Sequence, residues 1–108
     1  MAKLGTIILD GCSSKTYEFS IYSIDTNFKQ LGGIYYISRR ENKNHTHIYL
    51  GITEDLSTRF DNHHKQDCFD ENEANCISIH LNESEEEREL IEKDILCKYN
   101  FLCNDTNN

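Results

Sequence analysis

The sequence predicts an α+β domain built on a small antiparallel β-sheet flanked by helices. Stretches of strand length alternate apolar with polar residues, or are rich in β-branched and aromatic residues, and short polar turns join them in pairs. Two later stretches carry helix-start signals instead. Hairpin-linked strands mixed with helices are typical of the α+β class. The 108 residues suffice for one such domain and not for two.

The first part of the chain predicts an N-terminal β-hairpin. Residues 4–9 (LGTIIL) and 16–22 (TYEFSIY) are the predicted strands, and the second of them alternates aromatic or apolar residues with polar ones. The DGCSSK segment between them has the composition of a turn. Residues 1–31 are therefore assigned to a hairpin extension and a polar connector.

The core of the predicted domain covers residues 32–104. Its predicted elements are strands over 33–39, 46–53 and 75–81, and helices over 54–65 and 84–99. Thr53 could cap the first of these helices, and Ser84-Glu85-Glu86-Glu87 is a capping box that opens the second. Residues 66–73 (QDCFDENE) are predicted to be a loop, and residues 105–108 a frayed tail.

The charge balance argues against general affinity for nucleic acid. Nineteen acidic residues against eleven Lys and Arg give a net charge of −8, and phosphate binding depends on basic side chains. The acids are concentrated, however, because residues 66–94 hold eleven acids and two bases. Residues 37–65 hold five Lys or Arg and four His against four acids, so the middle of the chain is neutral to basic.

The composition also bears on location. No apolar run reaches the ~18–20 residues that cross a bilayer, and the apolar stretch near the N-terminus is too short for a signal peptide. We therefore expect a cytoplasmic protein. In that compartment the five cysteines are expected to be reduced thiols rather than a disulfide framework.

Three ionisable residues could carry chemistry, and each also has a plainer interpretation. Glu92 falls on the apolar side of the last predicted helix, where a carboxylate needs a partner, a metal ion or a proton, unless it reaches solvent at the boundary. Arg59 and His63 lie four residues apart and share a face of the preceding predicted helix. They could contact a phosphate and transfer a proton, or both could be ordinary solvated residues.

Two tyrosines lie on neighbouring strands of the second predicted hairpin, in the segments Gly33-Ile34-Tyr35 and Tyr49-Leu50-Gly51. Aromatic residues on strands usually serve packing, so these two alone indicate little.

Four polar residues follow them along the chain: Arg59, His63, Glu92 and Asn104. In this order and spacing the six positions closely resemble the GIY-YIG nuclease superfamily. The resemblance covers residues 32–104 and is carried by GIYYISRRENKNHTHIYLGITEDLSTRFDNHH and IEKDILCKYNFLCN.

The resemblance implies an endonuclease that hydrolyses phosphodiester bonds of nucleic acid, with DNA as the expected substrate and weak sequence specificity. It implies that Tyr35 acts as a base or positions the attacking water, and that Tyr49 supports it through its hydroxyl. Arg59 would pair with the phosphate, and His63 would relay a proton or contact the phosphate.

The resemblance also implies a metal site and supporting residues. Glu92 would hold a single divalent ion, Mg²⁺ or Mn²⁺, which agrees with the preference of these ions for hard oxygen ligands. Asn104 would be a hydrogen-bonding group, since an amide does not titrate. Many members carry a lysine two residues before the second tyrosine, where this chain has His47. His47 could replace that lysine as a group that helps to deprotonate Tyr35.

The sequence is also compatible with two other functions. The chain could be a GIY-YIG-like binding module that is too acidic to bind DNA and acts through a protein partner. It could instead be a zinc protein, although the cysteine spacing lacks the C-x₂₋₄-C knuckle of structural zinc sites. The residues available to zinc are Cys68, Cys76, Cys97 and Cys103 with His63, His64 or His80.

Overall fold

The described part of the chain forms a five-stranded antiparallel sheet and two helices. The structure is a computed structural model, and it describes residues 3–58 and 65–104. The strands are β1 (Gly5–Asp10), β2 (Thr16–Ser23), β3 (Gly33–Glu41), β4 (Asn44–Thr53) and β5 (Cys76–Leu81), and the helices are α1 (Gln66–Glu71) and α2 (Glu85–Lys98). The strand order in the sheet is β1-β2-β5-β3-β4. The predicted α+β class with an antiparallel sheet is therefore confirmed.

The N-terminal hairpin extends this sheet. β1 pairs with β2 from Gly5 opposite Ile21 to Asp10 opposite Thr16, and β2 then pairs with β5. The turn between them uses a positive φ of 76° at Ser14. Because β5 lies between β2 and β3, the last strand of the chain joins the two hairpins into one sheet.

The hairpin of β3 and β4 contains a β-bulge that decides which side chains share a face. Ile37 lies opposite Tyr49, whereas its neighbour Ser38 lies opposite His47, so Ile48 is an extra residue on β4. An extra residue shifts the two-residue alternation of a strand. As a result Tyr49 and His47 point to opposite faces of the sheet although they are two residues apart.

Each face of the sheet carries its own hydrophobic core. On one side, which we call the α1 face, Phe69 of α1 packs with Tyr35, Ile37 and Ile77. On the other side, the α2 face, Ile95 of α2 packs with a second set of buried residues: Leu9, Phe19, Ile34, Tyr36, Leu50 and Phe101. Neighbouring residues of β3 therefore belong to different cores, as the pleat of a strand requires.

Two of the predicted elements differ from the structure. The helix predicted over 54–65 is not formed over 54–58, where the chain makes turns. The Asp55 carboxylate accepts hydrogen bonds from both the N–H and the hydroxyl of Ser57, a local pattern that competes with helix formation. The remainder of that prediction, 59–64, lies outside the described residues, as does the tail at 105–108.

The second difference concerns the segment that was predicted to be a loop, 66–73. Residues 66–71 form the short helix α1, which buries Phe69 against the α1 face. Six residues are too few to display a helical period, so the polar composition hid this element. The strands and the long helix α2 lie where they were predicted, within a few residues at each end.

The expectation of reduced cysteines is wrong for four of the five. Cys12 is bonded to Cys97, and Cys68 to Cys103, with sulfur–sulfur distances of 2.03 and 2.05 Å. Cys76 is buried on β5 with a free thiol. An odd cysteine count does not prevent the other four from pairing, because spatial proximity decides the pairing and sequence spacing does not reveal it.

Candidate functional site

The two tyrosines of the predicted motif lie side by side on the α1 face. Tyr35 on β3 is opposite Gly51 on β4, and the ring centroids of Tyr35 and Tyr49 are 5.9 Å apart. Gly51 makes this arrangement possible, because an added Cβ would lie only 2.7 Å from the Tyr35 Oη and 2.8 Å from the Tyr49 Cε2. The glycine thus provides the space that the Tyr35 ring occupies.

Asn104 reaches the centre of the Tyr49-Leu50-Gly51 segment. Its Nδ2 donates to the Leu50 carbonyl at 3.0 Å, and its Oδ1 accepts from the Leu50 N–H at 2.9 Å. The backbone just before it follows the outer edge of β4, where the N–H of Cys103 donates to the Ile48 carbonyl at 2.7 Å. The disulfide to Cys68 fixes the same segment to α1. The end of the chain is therefore tied to the second tyrosine segment.

Glu92 lies on α2 and is half-buried. Burial raises the pKa of its carboxyl group, and the nearby Glu89 raises it further, while Lys93 acts in the opposite direction. Within 3–58 and 65–104 no hydrogen bond or ion pair to its carboxylate is found. The apolar side of α2 packs on the α2 face, whereas the tyrosine pair packs on the α1 face. The structure does not join Glu92 to the tyrosines by any direct contact.

His47 lies beside Tyr36 rather than Tyr35. Its Nδ1 shares a hydrogen bond of 2.5 Å with the Tyr36 hydroxyl, and its ring packs against Tyr99 and Phe101 on the α2 face. Burial lowers the pKa of His47 and raises that of Tyr36, so both groups favour their neutral forms. The bulge at Ile48 places His47 on the face opposite Tyr35, which does not support its predicted role as a substitute for lysine.

The remaining two predicted site residues, Arg59 and His63, lie outside the described residues. Of the seven predicted positions, the structure therefore brings together three: Tyr35, Tyr49 and, through the Leu50 backbone, Asn104. Glu92 and His47 are associated with the other face of the sheet.

A divalent cation needs oxygen donors, and within 3–58 and 65–104 few are grouped near these residues. No group of three or more His, Cys, Asp or Glu that could hold a metal ion occurs in the part of the chain that the structure describes. A single carboxylate fits Mg²⁺ nevertheless, because this ion keeps several waters and is held by one or two carboxylates together with substrate phosphates. Glu92, desolvated and without an ion-pair partner among those residues, is such a carboxylate.

The structure contradicts the zinc alternative. Two of its cysteines, Cys68 and Cys103, are bonded to each other, and Cys97 is bonded to Cys12. Disulfide sulfurs carry no thiolate, which is the form that binds zinc. Cys76 alone keeps a thiol, and burial raises its pKa.

Two charged residues of α2 were not singled out from the sequence. Asp94 accepts hydrogen bonds from the Ser13 hydroxyl and N–H and from the Tyr17 hydroxyl, which lower its pKa and fix the N-terminal turn to α2. Arg88 is only 6% exposed and lines a cleft at the start of α2. The sequence held a signal for Arg88, since it is four residues before Glu92 and seven before the buried Ile95.

Comparison of the chain with protein families, with curated proteins and with solved structures found no match. In the described part of the chain, no helix has both the length and the apolar character that a membrane span requires.

Proposed function

We propose that this protein is a metal-dependent endonuclease of the GIY-YIG type, which acts in the cytoplasm and hydrolyses phosphodiester bonds of DNA with weak intrinsic sequence specificity. One observation carries the proposal. The two strands of a hairpin and the distant end of the described chain meet at Gly51, where the Tyr35 ring lies beside Tyr49 and Asn104 binds the adjacent backbone. The glycine and the amide serve packing and backbone hydrogen bonding there, and the residues that meet are the ones that the sequence motif singles out.

The proposed mechanism assigns separate tasks to the residues. A water molecule attacks phosphorus while the bond to the leaving oxygen breaks. The Tyr35 hydroxyl positions that water, or its phenolate form accepts the water proton and becomes the neutral hydroxyl, and Tyr49 supports it from 5.9 Å away, measured between ring centroids. Arg59 stabilises the negative charge that develops on the phosphoryl oxygens, and His63 relays a proton.

Glu92 is the proposed ligand of Mg²⁺ or Mn²⁺. When bound, the ion neutralises charge on the phosphoryl and leaving oxygens. A nearby cation would also remove the cost of the desolvated carboxylate, because an opposite charge favours the ionised form of an acid. Asn104 holds the backbone of the second tyrosine segment and takes no part in proton transfer.

The decisive experiment compares wild type and Glu92→Ala on supercoiled plasmid with Mg²⁺ or Mn²⁺ at low salt. Wild type should nick or linearise the plasmid, and the variant should lose at least about 100-fold of the rate while keeping its circular dichroism spectrum. Glu71→Ala, at an exposed position on α1, is the control and should cleave normally. Equal cleavage by wild type and Glu92→Ala would reveal a contaminating nuclease.

A second candidate function is a binding module that acts through a protein partner. The observation that favours it is the separation of Glu92 and the tyrosine pair onto elements that pack on opposite faces of the sheet. The net charge of −8 also opposes tight binding to DNA. Absence of cleavage on plasmid, nicked, branched and single-stranded substrates, with and without metal, would favour this module over the endonuclease.

A further inference from the structure

Arg88 is a buried cation that forms no ion pair with any described residue. Its side chain is 6% exposed, and neither of the ion pairs found within the described ranges, 3–58 and 65–104, involves it. One Nη1 donor reaches the Asn82 carbonyl at 2.9 Å, while the buried Nε has no acceptor. A guanidinium held in this way costs free energy that its hydrogen bond to Asn82 offsets only in part.

The fold makes room for this side chain. An added Cβ at Gly32 would lie 2.6 Å from the Arg88 Nη1, so a larger residue at Gly32 would displace the guanidinium. The little surface that Arg88 exposes opens into a cleft of about 290 Å³, which lies between the end of β4 and the first turn of α2. The other lining residues are Ile52, Thr53, Glu54 and Glu85.

The first turn of α2 adds a second feature that attracts anions. The N–H groups at the start of a helix are not used within it and carry partial positive charge. Ser84 accepts from the Glu87 N–H, and nothing in the described ranges accepts from the N–H groups of Glu85 and Glu86. A guanidinium beside such a terminus is the combination that recognises phosphate oxygens.

We propose that this cleft binds a backbone phosphate of the nucleic-acid substrate, through Arg88 and the first turn of α2. The inference rests on the proposed function and adds a substrate contact to it. Arg88 and Glu92 are one turn apart on α2, which separates their Cβ atoms by about 5–6 Å. A strand that presents one phosphate at Glu92 can therefore present a neighbouring phosphate at Arg88.

Glu54 and Glu85 at the rim of the cleft affect how tightly it can bind an anion. Both are exposed, and their charge opposes an anion, so they weaken the phosphate contact. Neutralising Glu85 as Glu85→Gln should therefore tighten phosphate binding. If the cleft instead bound a cation, the same substitution would weaken binding, which separates the two chemistries.

The test measures binding of inorganic phosphate and of a 12-nucleotide duplex to the full chain by NMR titration. Arg88→Met should weaken both affinities by about tenfold or more, the effect expected when a hydrogen bond to a charged group is lost. Lys98→Met removes the same charge from the exposed last turn of α2 and should change neither affinity by more than about twofold. Glu85→Gln should tighten phosphate binding.

Arg88→Lys is the second variant, used if Arg88→Met does not fold. It keeps the charge without the planar fork and should still weaken phosphate binding several-fold. Unchanged affinities in both variants, or no phosphate binding by wild type, would overturn the proposal. Loss of phosphate binding in Arg88→Met together with no cleavage by wild type would refute the endonuclease and keep the cleft. Cleavage by wild type together with unchanged duplex affinity in Arg88→Met would support the endonuclease and refute the phosphate site in the cleft.

Discussion

The Asn104 side chain forms two hydrogen bonds with the backbone of Leu50, which is 54 positions away in the sequence. Among the described residues, no other side chain forms a hydrogen bond with the Leu50 backbone. Leu50 is fully buried, so its N–H and carbonyl have no access to water as an alternative partner. The amide of asparagine supplies one donor and one acceptor in the geometry that a peptide group needs.

Replacement of Asn104 should therefore destabilise the protein. Asn104→Ala leaves two buried backbone groups unsatisfied, for which we expect a loss of about 2–3 kcal/mol in the free energy of unfolding. Urea denaturation followed by circular dichroism measures it. Asn100→Ala, at an exposed position nearby, should change stability by less than about 0.5 kcal/mol. Equal effects of the two substitutions would show that the two hydrogen bonds contribute nothing specific.

Gly51→Ala should strain the tyrosine pair. The added methyl group would lie 2.7 Å from Tyr35 ring atoms, and rings packed in a core cannot yield without cost, so we expect a loss of about 1–3 kcal/mol. The Tyr35→Leu background removes one of the two clashing rings and should reduce this loss by about 0.5 kcal/mol or more. Additive effects in the double variant, measured by urea denaturation, would rule out the predicted contact.

Glu92 should make stability depend on pH. Its pKa is raised in the folded state, so ionisation costs folding free energy, and stability falls as pH rises from about 4.5 through the folded pKa. Glu92→Gln removes this cost. Its Tm should exceed that of wild type at pH 7, and the difference should disappear below pH 4. Glu86→Gln is the exposed control and should raise Tm at neither pH, because an acid in the first helical turn is favourable.

The cysteine pairing can be counted directly. Thiol titration of the unreduced protein in denaturant should give one thiol per chain, from Cys76, whereas reduced cysteines would give five. A mass increase on alkylation that corresponds to one modified cysteine would confirm the count independently.

The two disulfides should differ in what they support. Each closes a long loop, of 85 and 35 residues, so removal of either should cost about 4 kcal/mol. The Cys68→Ser and Cys103→Ser double variant loosens the segment next to Asn104 and should also reduce any cleavage rate. The matched pair, Cys12→Ser and Cys97→Ser, should affect stability alone. If both double variants lost cleavage activity in the same proportion to their loss of stability, the two disulfides would not differ in this way.

The local sequence pattern predicted the strands well, because alternating apolar and polar residues and β-branched residues are typical of a half-buried strand. The stretches that became β3 and β4 are examples. The helix α1 escaped detection because its six residues hold one buried apolar side chain, Phe69. In 54–58 the Asp55 side chain holds the backbone in turns, which an acidic, helix-compatible composition does not reveal.

The candidate site was predictable only where motif positions meet across paired strands. The neighbourhood of Tyr35 and Tyr49 follows from the hairpin alone. The Asn104 contact and the disulfides depend on how the end of the chain and α2 pack on the sheet, which no local pattern encodes. The side on which His47 lies depends on one inserted residue, and alternation counted from sequence misplaces it.

The extra residue at Ile48 acts on β4 as the insertion of a single nucleotide acts on a reading frame, because it shifts the phase of everything beyond it. Residues before it, His45 and His47, are assigned to one side of the sheet, and Tyr49 after it to the other. If β4 paired with β3 without this bulge, Ile48 would lie opposite Ser38, and the alternation of the strand would turn both imidazoles towards the tyrosine pair. The distribution of proton-carrying groups between the two sides of this sheet is therefore controlled by the register of β4, and a shift of one residue would exchange it.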